Sequence, residues 1–378
     1  MSRMSGDIVN KGQVSILLLG DLILDAEQPD HWLSGIAPTL RAADLTIAHL
    51  EVPHTLRGTE MAGDVPAPGA PPENLAAAAR AGIRAVSMAG NHMADCGAEG
   101  IADTIETLDR LGIAHAGAGA TLAAARAPAL LDIGGRRIAL LSYNCVGPES
   151  GWATVDGPGF AYLPILTDDG SPVRPTAALT QPAAEAKAIL RHDVAAARDR
   201  ADLVLVSLHK GLVHVPARLA PYERPIAHAA IDAGADVVFG HHAHIVKGVE
   251  RYRGKPIFHG LGNGCVVTHA LSPKQDHVVR AEWAHRRKEM FGFEPDPAYE
   301  LAPFHPEAVN AMIGRLLWHE DGSIQAGLIP VHVEAPGRPV IADTAQAARI
   351  KDYLEAITQA GGLPAVRLDA GTDMMVFA

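Results

Sequence analysis

The stretch Ile231–His244, IDAGADVVFGHHAH, decides how the rest of the chain is read. An alanine-rich helical pattern over 217–232 leads into a short apolar run over 235–239. Gly240-His241-His242-Ala243-His244 follows that run at once. A helix, a strand and then a glycine beside polar side chains is the unit of an open α/β sheet, where ligands bind beyond the carboxyl ends of strands. Four more strand ends carry the same kind of cluster: Gly20-Asp21 after Val14–Leu19, His49-Leu50-Glu51 after Leu45–Ala48, Gly90-Asn91-His92 (then Asp95 and Gly97) after Ala85–Met88, and His209-Lys210-Gly211 after Leu203–Leu208. One aspartate after a strand is commonly a helix cap; five clusters in register point to a shared site.

Working outward, the pattern predicts strands at 14–20, 45–48, 84–88, 128–133, 136–142, 202–208, 235–239, 256–258 and 324–333. Helices are expected at 33–42, 73–81, 97–111, 121–126, 183–199, 217–232 and 345–360. This alternation argues for an α/β sandwich with helices on both outer faces. Gly134-Gly135 makes 128–133 and 136–142 a hairpin, so the sheets are expected to be mixed. Pro- and Gly-rich stretches at 53–72 and 146–181 read as loops, the first as a lid, and 270–310, with Trp283, Phe291, Phe293, Tyr299 and Phe304, as a cap. The organisation expected is a tail over 1–13, a core over 14–268, and a C-terminal extension over 269–378 with the cap, strands and a helix packed on the core.

With 48% hydrophobic residues, the 378-residue chain can bury a large core. A net charge of −11 leaves no basic field for nucleic acid or an anionic membrane. Met1–Gln13 has no apolar segment of the secretory type, and Cys96, Cys145 and Cys265 show no pairing or zinc-type spacing. The expectation is a cytoplasmic protein with a small-molecule or peptide substrate and no nucleic-acid or membrane partner; homo-oligomer formation stays open.

The clusters mix carboxylate, amide oxygen and imidazole without thiolate, a set suited to Zn²⁺, Mn²⁺ or Fe²⁺ rather than to a structural zinc site. Lys210, His214, His259 and His49 stand in or near them as candidate proton carriers, since a lysine in a dry pocket can act as a base. A rim position for Lys210 and a structural role for His214 and His228 are the plainer alternatives. Cys96 reads as a small apolar filler.

The order and spacing of these motifs resemble the CapA, or poly-γ-glutamate capsule biosynthesis, family, which looks like a branch of the calcineurin-like metallophosphoesterases. The resemblance spans about residues 14 to 268, through Gly20-Asp21, His49-Leu50-Glu51, Gly90-Asn91-His92, His209-Lys210-Gly211, Gly240–His244 and Gly262-Asn263-Gly264. It implies a metallophosphoesterase-like four-layer α/β sandwich holding one or two divalent ions (Zn, Mn or Fe). Asp21, Glu51, Asn91, His209, His242 and His244 would be ligands, with His92 oriented by Asp95 beside them. Two departures stand out. Phosphoesterases carry Asp-x-His at the first motif, where this chain has Asp21-Leu22-Ile23, and Lys210 replaces the family tryptophan.

Three functions follow. The first is a hydrolase using metal-activated water, with His92-Asp95 as acid/base pair. The second is a non-hydrolytic proton-transfer enzyme, an epimerase or retro-aldol-type lyase, in which Lys210, His92 or His214 moves a proton. The third is a non-catalytic capsule-assembly protein.

Overall fold

Along Gln13–Leu24 the side chains alternate between two cores. Ile16 and Leu18 pack with Ile138, Leu140, Leu203, Leu205 and Phe239, while Leu17 and Leu19 pack with Leu40, Leu75, Ala78 and Leu108. The two-residue period of a strand thus places a sheet between a second sheet and a layer of helices. Leu203–His209 does the same in mirror image: Leu203 and Leu205 face the first sheet, and Val204 and Val206 face Leu190, Val194 and Ile226. The result, seen in a computed structural model that describes residues 12–61, 68–272, 274–370 and 374–377, is a helix–sheet–sheet–helix α/β sandwich. Residues 1–11 of the expected tail, and 62–67 within the expected lid, lie outside the described residues.

Both sheets are mixed, as the hairpin implied. In one, Gln13–Leu24, Leu45–Leu50, Ala85–Ser87 and Ala114–Ala116 run parallel, and Asn310–His319 pairs antiparallel with the first of them. In the other, Arg136–Asn144, Leu203–His209, Val237–His241 and Lys255–Phe258 run parallel, with the hairpin strand Ala129–Ile133 at one edge.

Several boundaries differ from expectation for identifiable reasons. The first strand runs on to Leu24 because Leu22, Ile23 and Leu24 pair with Cys265, Val266 and Val267, a partner more than two hundred residues away. Its neighbour Gly20 sits where an added Cβ would lie 1.9 Å from the Gly262 carbonyl oxygen, so only glycine lets these strands meet beside Asp21. The helix expected at 217–232 begins at Glu223, after Pro221, which disfavours helical geometry in the residue before it. The helix expected at 33–42 is two short ones, Pro29–Leu33 and Ala37–Arg41. Within the cap, Val278–Phe291 is a helix. Among the described residues no helix is long and apolar enough to cross a membrane.

Beneath the strand ends runs a buried polar chain. Lys210 Nζ donates to Glu223 Oε2 at 2.9 Å and to the His259 carbonyl at 3.1 Å, and lies 3.2 Å from His259 Nδ1; Lys210 and Glu223 are wholly buried. His259 Nε2 is 3.2 Å from Glu250 Oε1, which His228 also reaches, while Arg224 donates to Glu250 Oε2. Removing one partner of a buried pair leaves an uncompensated charge, so Lys210→Met should lower unfolding free energy by about 3–5 kcal/mol in a urea titration. A loss under about 1 kcal/mol would mean the pair is not structural.

Burial, then the charge of Lys210, holds His259 down at about 4, and burial holds His54 near 4 although its Nδ1 touches the Pro71 carbonyl. In the unfolded chain both titrate near 6.5. Between those values the unfolded state binds more protons, so these groups leave stability intact above pH 6.5 and erode it as pH falls toward 4. The denaturation midpoint should therefore drop steadily over that window; a flat profile would contradict the burial.

Candidate metal centre

The parallel registers bring the polar clusters together. Asp21 pairs with His49 across the first two strands, and His209 pairs with His241 in the second sheet. At the seam the rings stack: His49 lies 4.7 Å from His209 and 4.4 Å from His241, centroid to centroid. His209 Nε2 is 2.6 Å from Asn91 Oδ1 and 3.1 Å from His242 Nδ1. On the other side His244 Nε2 is 3.2 Å from Glu51 Oε1 and its Nδ1 is 3.0 Å from Asn263 Oδ1. His242 and His244 adopt positive φ, 86° and 51°, a strained backbone for residues bearing a Cβ and one that recurs at functional sites.

Two overlapping groups have ligand atoms within 4.8 Å of one another: Asp21, His49 and His209, and Asp21, Glu51 and His244. They share Asp21. Among the described residues, eight buried atoms here lack a hydrogen-bond partner: Asp21 Oδ2, both Glu51 carboxylate oxygens, His49 Nε2, His209 Nδ1, both His241 nitrogens and His242 Nε2. The contact of Glu51 with His244 is an ion pair without hydrogen-bond geometry. Carboxylate oxygens and imidazole nitrogens buried without partners fit a divalent cation.

The electrostatics suit the same role. Burial, reinforced by neighbouring imidazoles, pushes His209 well below its ordinary value and His242 down to about 3; burial and the His241 charge bring His49 to about 3. These rings are neutral at pH 7 and keep a lone pair for a metal. Burial and then the Glu51 charge raise Asp21 to about 7. His244 goes the other way: burial would lower it, but Glu51 and Asp21 hold it up at about 9. Glu51, which burial would raise, is drawn down to about 2 by His244.

The site opens into a cavity of about 380 Å³ that Glu51, Asn91, His92, His242 and His244 line at one end. His92 keeps the expected partner, its Nδ1 2.7 Å from Asp95 Oδ2. His214 lines the cavity too, its ring edge-on to Phe291 and Phe293 at 5.0 Å each. Lys210 is the residue the geometry takes out of the proposed chemistry: its ammonium turns away into the pair with Glu223 and does not line the cavity. The sequence pattern marks His49 only as a proton carrier and gives His241 no role, yet both rings lie in the cluster. Their signal was the register, because each sits level with a named ligand on the adjacent strand.

A family profile described as bacterial capsule synthesis protein PGA_cap matches residues 4–266. A probable polyglutamine synthesis accessory protein of Mycobacterium tuberculosis is 35% identical over 198 residues, 51% of this chain and 47% of that protein, so the match spans about half the length of each. The capsule biosynthesis protein CapA of Bacillus anthracis is 26% identical over 266 residues, 66% of this chain and 59% of its own. Among solved structures, the calcineurin-like phosphoesterase YfkN from Bacillus subtilis aligns over 92% of this chain and 99% of its own at 11% identity and a TM-score of 0.40. A likeness this loose carries no functional argument. The extent of the sequence match does settle kinship: the chain belongs to the PGA_cap family of bacterial capsule synthesis proteins.

Proposed function

We propose that the chain is a metal-dependent hydrolase whose acid/base pair is His92 with Asp95. The observation that carries this reading is the set of buried, unpartnered oxygen and nitrogen donors beside His92 at the end of a cavity. Asp21, Glu51, Asn91, His209, His242 and His244 would hold one or two divalent ions, with His49 completing the group around Asp21 and His209. Such an ion supplies Lewis acidity and brings the pKa of water near neutrality.

The protein's own residues do the rest. Asp95 fixes the orientation of the His92 ring and raises its basicity, so that His92 can hand a proton to a departing group. His242 and Asn91 bracket His209 and set its ring plane. Three free, buried cysteines suit a reducing compartment such as the cytoplasm.

A second reading, proton transfer at carbon without addition of water, draws on His214. Burial first, then the charge of His244, pushes it well below its usual value, so it is a neutral base facing the cavity. Oxygen from isotopically labelled water appearing in product marks the first reading; solvent deuterium on a substrate carbon without it marks the second.

Chelator-stripped protein should take up one to two equivalents of Mn²⁺ or Zn²⁺ by elemental analysis. Asp21→Ala should abolish uptake at both positions, and His49→Ala should remove about one equivalent if its group is a site. Protein that binds no divalent ion would end the reading. On an aryl phosphate or aryl ester that turns over in the loaded wild type, His92→Gln should lower kcat by about 10²–10⁴-fold with metal content unchanged. A fall under threefold would remove His92 from the chemistry.

A further inference from the structure

Resting on that reading of the buried donors as the reacting end, we infer that the cavity takes a substrate with a short polar head and a bulky, uncharged apolar group, and disfavours chains of repeated negative charge. Beside the metal ligands the wall includes Leu212, Leu271, Trp283, Met290, Phe291 and Phe304. Phe304 stacks on His244 at 4.7 Å, so the apolar wall begins at the ligand cluster itself.

Charge decides against a polyanion. Among the described residues the only lysine or arginine on the cavity wall is Arg287. Its guanidinium donates to the carbonyls of Pro303 at 2.6 Å and Leu271 at 2.8 Å and lies 4.9 Å above the Trp283 ring, and burial depresses it to about 10. It holds the cap helix to the loop before Phe304 and is committed to that task. Besides Glu51, the wall carries a second carboxyl, Asp25, bonded by Thr268 at 2.6 Å. Beyond the ligand end, where His244 and a bound ion answer Glu51, a ligand with charges along its length would meet Asp25 and no free Arg or Lys of the kind that a wall recognising anions presents. A volume of about 380 Å³ has room for one or two rings and a linker.

The test compares methylphosphonate with 4-phenylbutylphosphonate by isothermal titration of the Mn²⁺-loaded full chain, with glutamate and hexaglutamate as competitors. The phenylbutyl compound should bind at least about 30-fold more tightly, from burial of its apolar surface. Phe291→Ala should cut that ratio at least fivefold while leaving methylphosphonate affinity within twofold. Hexaglutamate should compete no better than glutamate. Equal affinity for the two phosphonates, or hexaglutamate binding tenfold more tightly than glutamate, overturns the inference. Repeating the titration on chelator-treated protein separates the two ideas. A tail preference that survives while metal uptake fails leaves the apolar class standing and removes the hydrolase reading. Metal uptake with no tail preference does the reverse.

Discussion

Imidazoles and carboxylates buried without partners are expensive to fold around. Each buried polar group left unanswered costs about 1–3 kcal/mol, so the donors gathered at the strand ends oppose folding until a ligand meets them. The rest of the molecule answers this constraint. Two sheets share one apolar interior, and their outer faces are covered by helices, so strands from both can end at the same place. The Lys210–Glu223 pair and the His259–Glu250–His228 chain pair the charged groups behind the cluster with one another. Binding a cation there would relieve much of the strain at once, and such a site gains affinity from being held in advance.

The same constraint explains which features could be read from the sequence. Layering follows from the alternation of strand and helix patterns along the chain, which is a local signal, and local signals survive in a single chain. The five polar clusters were visible because a glycine and a polar run after an apolar run need no knowledge of partners. What stayed hidden was pairing. Leu22–Leu24 becomes strand only because Asn263–Val267 lies beside it, and Asn310–His319 becomes the antiparallel neighbour of Gln13–Leu24 through contacts some three hundred residues apart. His241 looked like one member of a histidine run, and only its level position beside His209 brings it to the site.

Lys210 shows the opposite error. A lysine among metal-ligand motifs invites a catalytic role, because sequence places it beside His209 and is silent on which way a side chain leaves the strand end. Neighbouring residues of a strand point to opposite faces, so a residue following a ligand is more apt to turn behind the site than into it. Glu223 then supplies the countercharge, and its helix begins late enough to bring it there.

The departure at the first motif has a physical answer of the same kind. Two residues after Asp21 stands Ile23, which lines the cavity and packs with Val266, Leu271 and Phe304. An imidazole at that position would face the apolar wall. His49, level with Asp21 on the adjacent strand, brings a ring from the other side: Ser87 Oγ lies 2.9 Å from its Nδ1, its Nε2 has no partner, and Gly90 leaves the space the ring needs, since a Cβ there would come within 3.0 Å of Nε2. His49 thus sets a free ring nitrogen beside Asp21 while Ile23 leaves the cavity wall apolar at the same strand end.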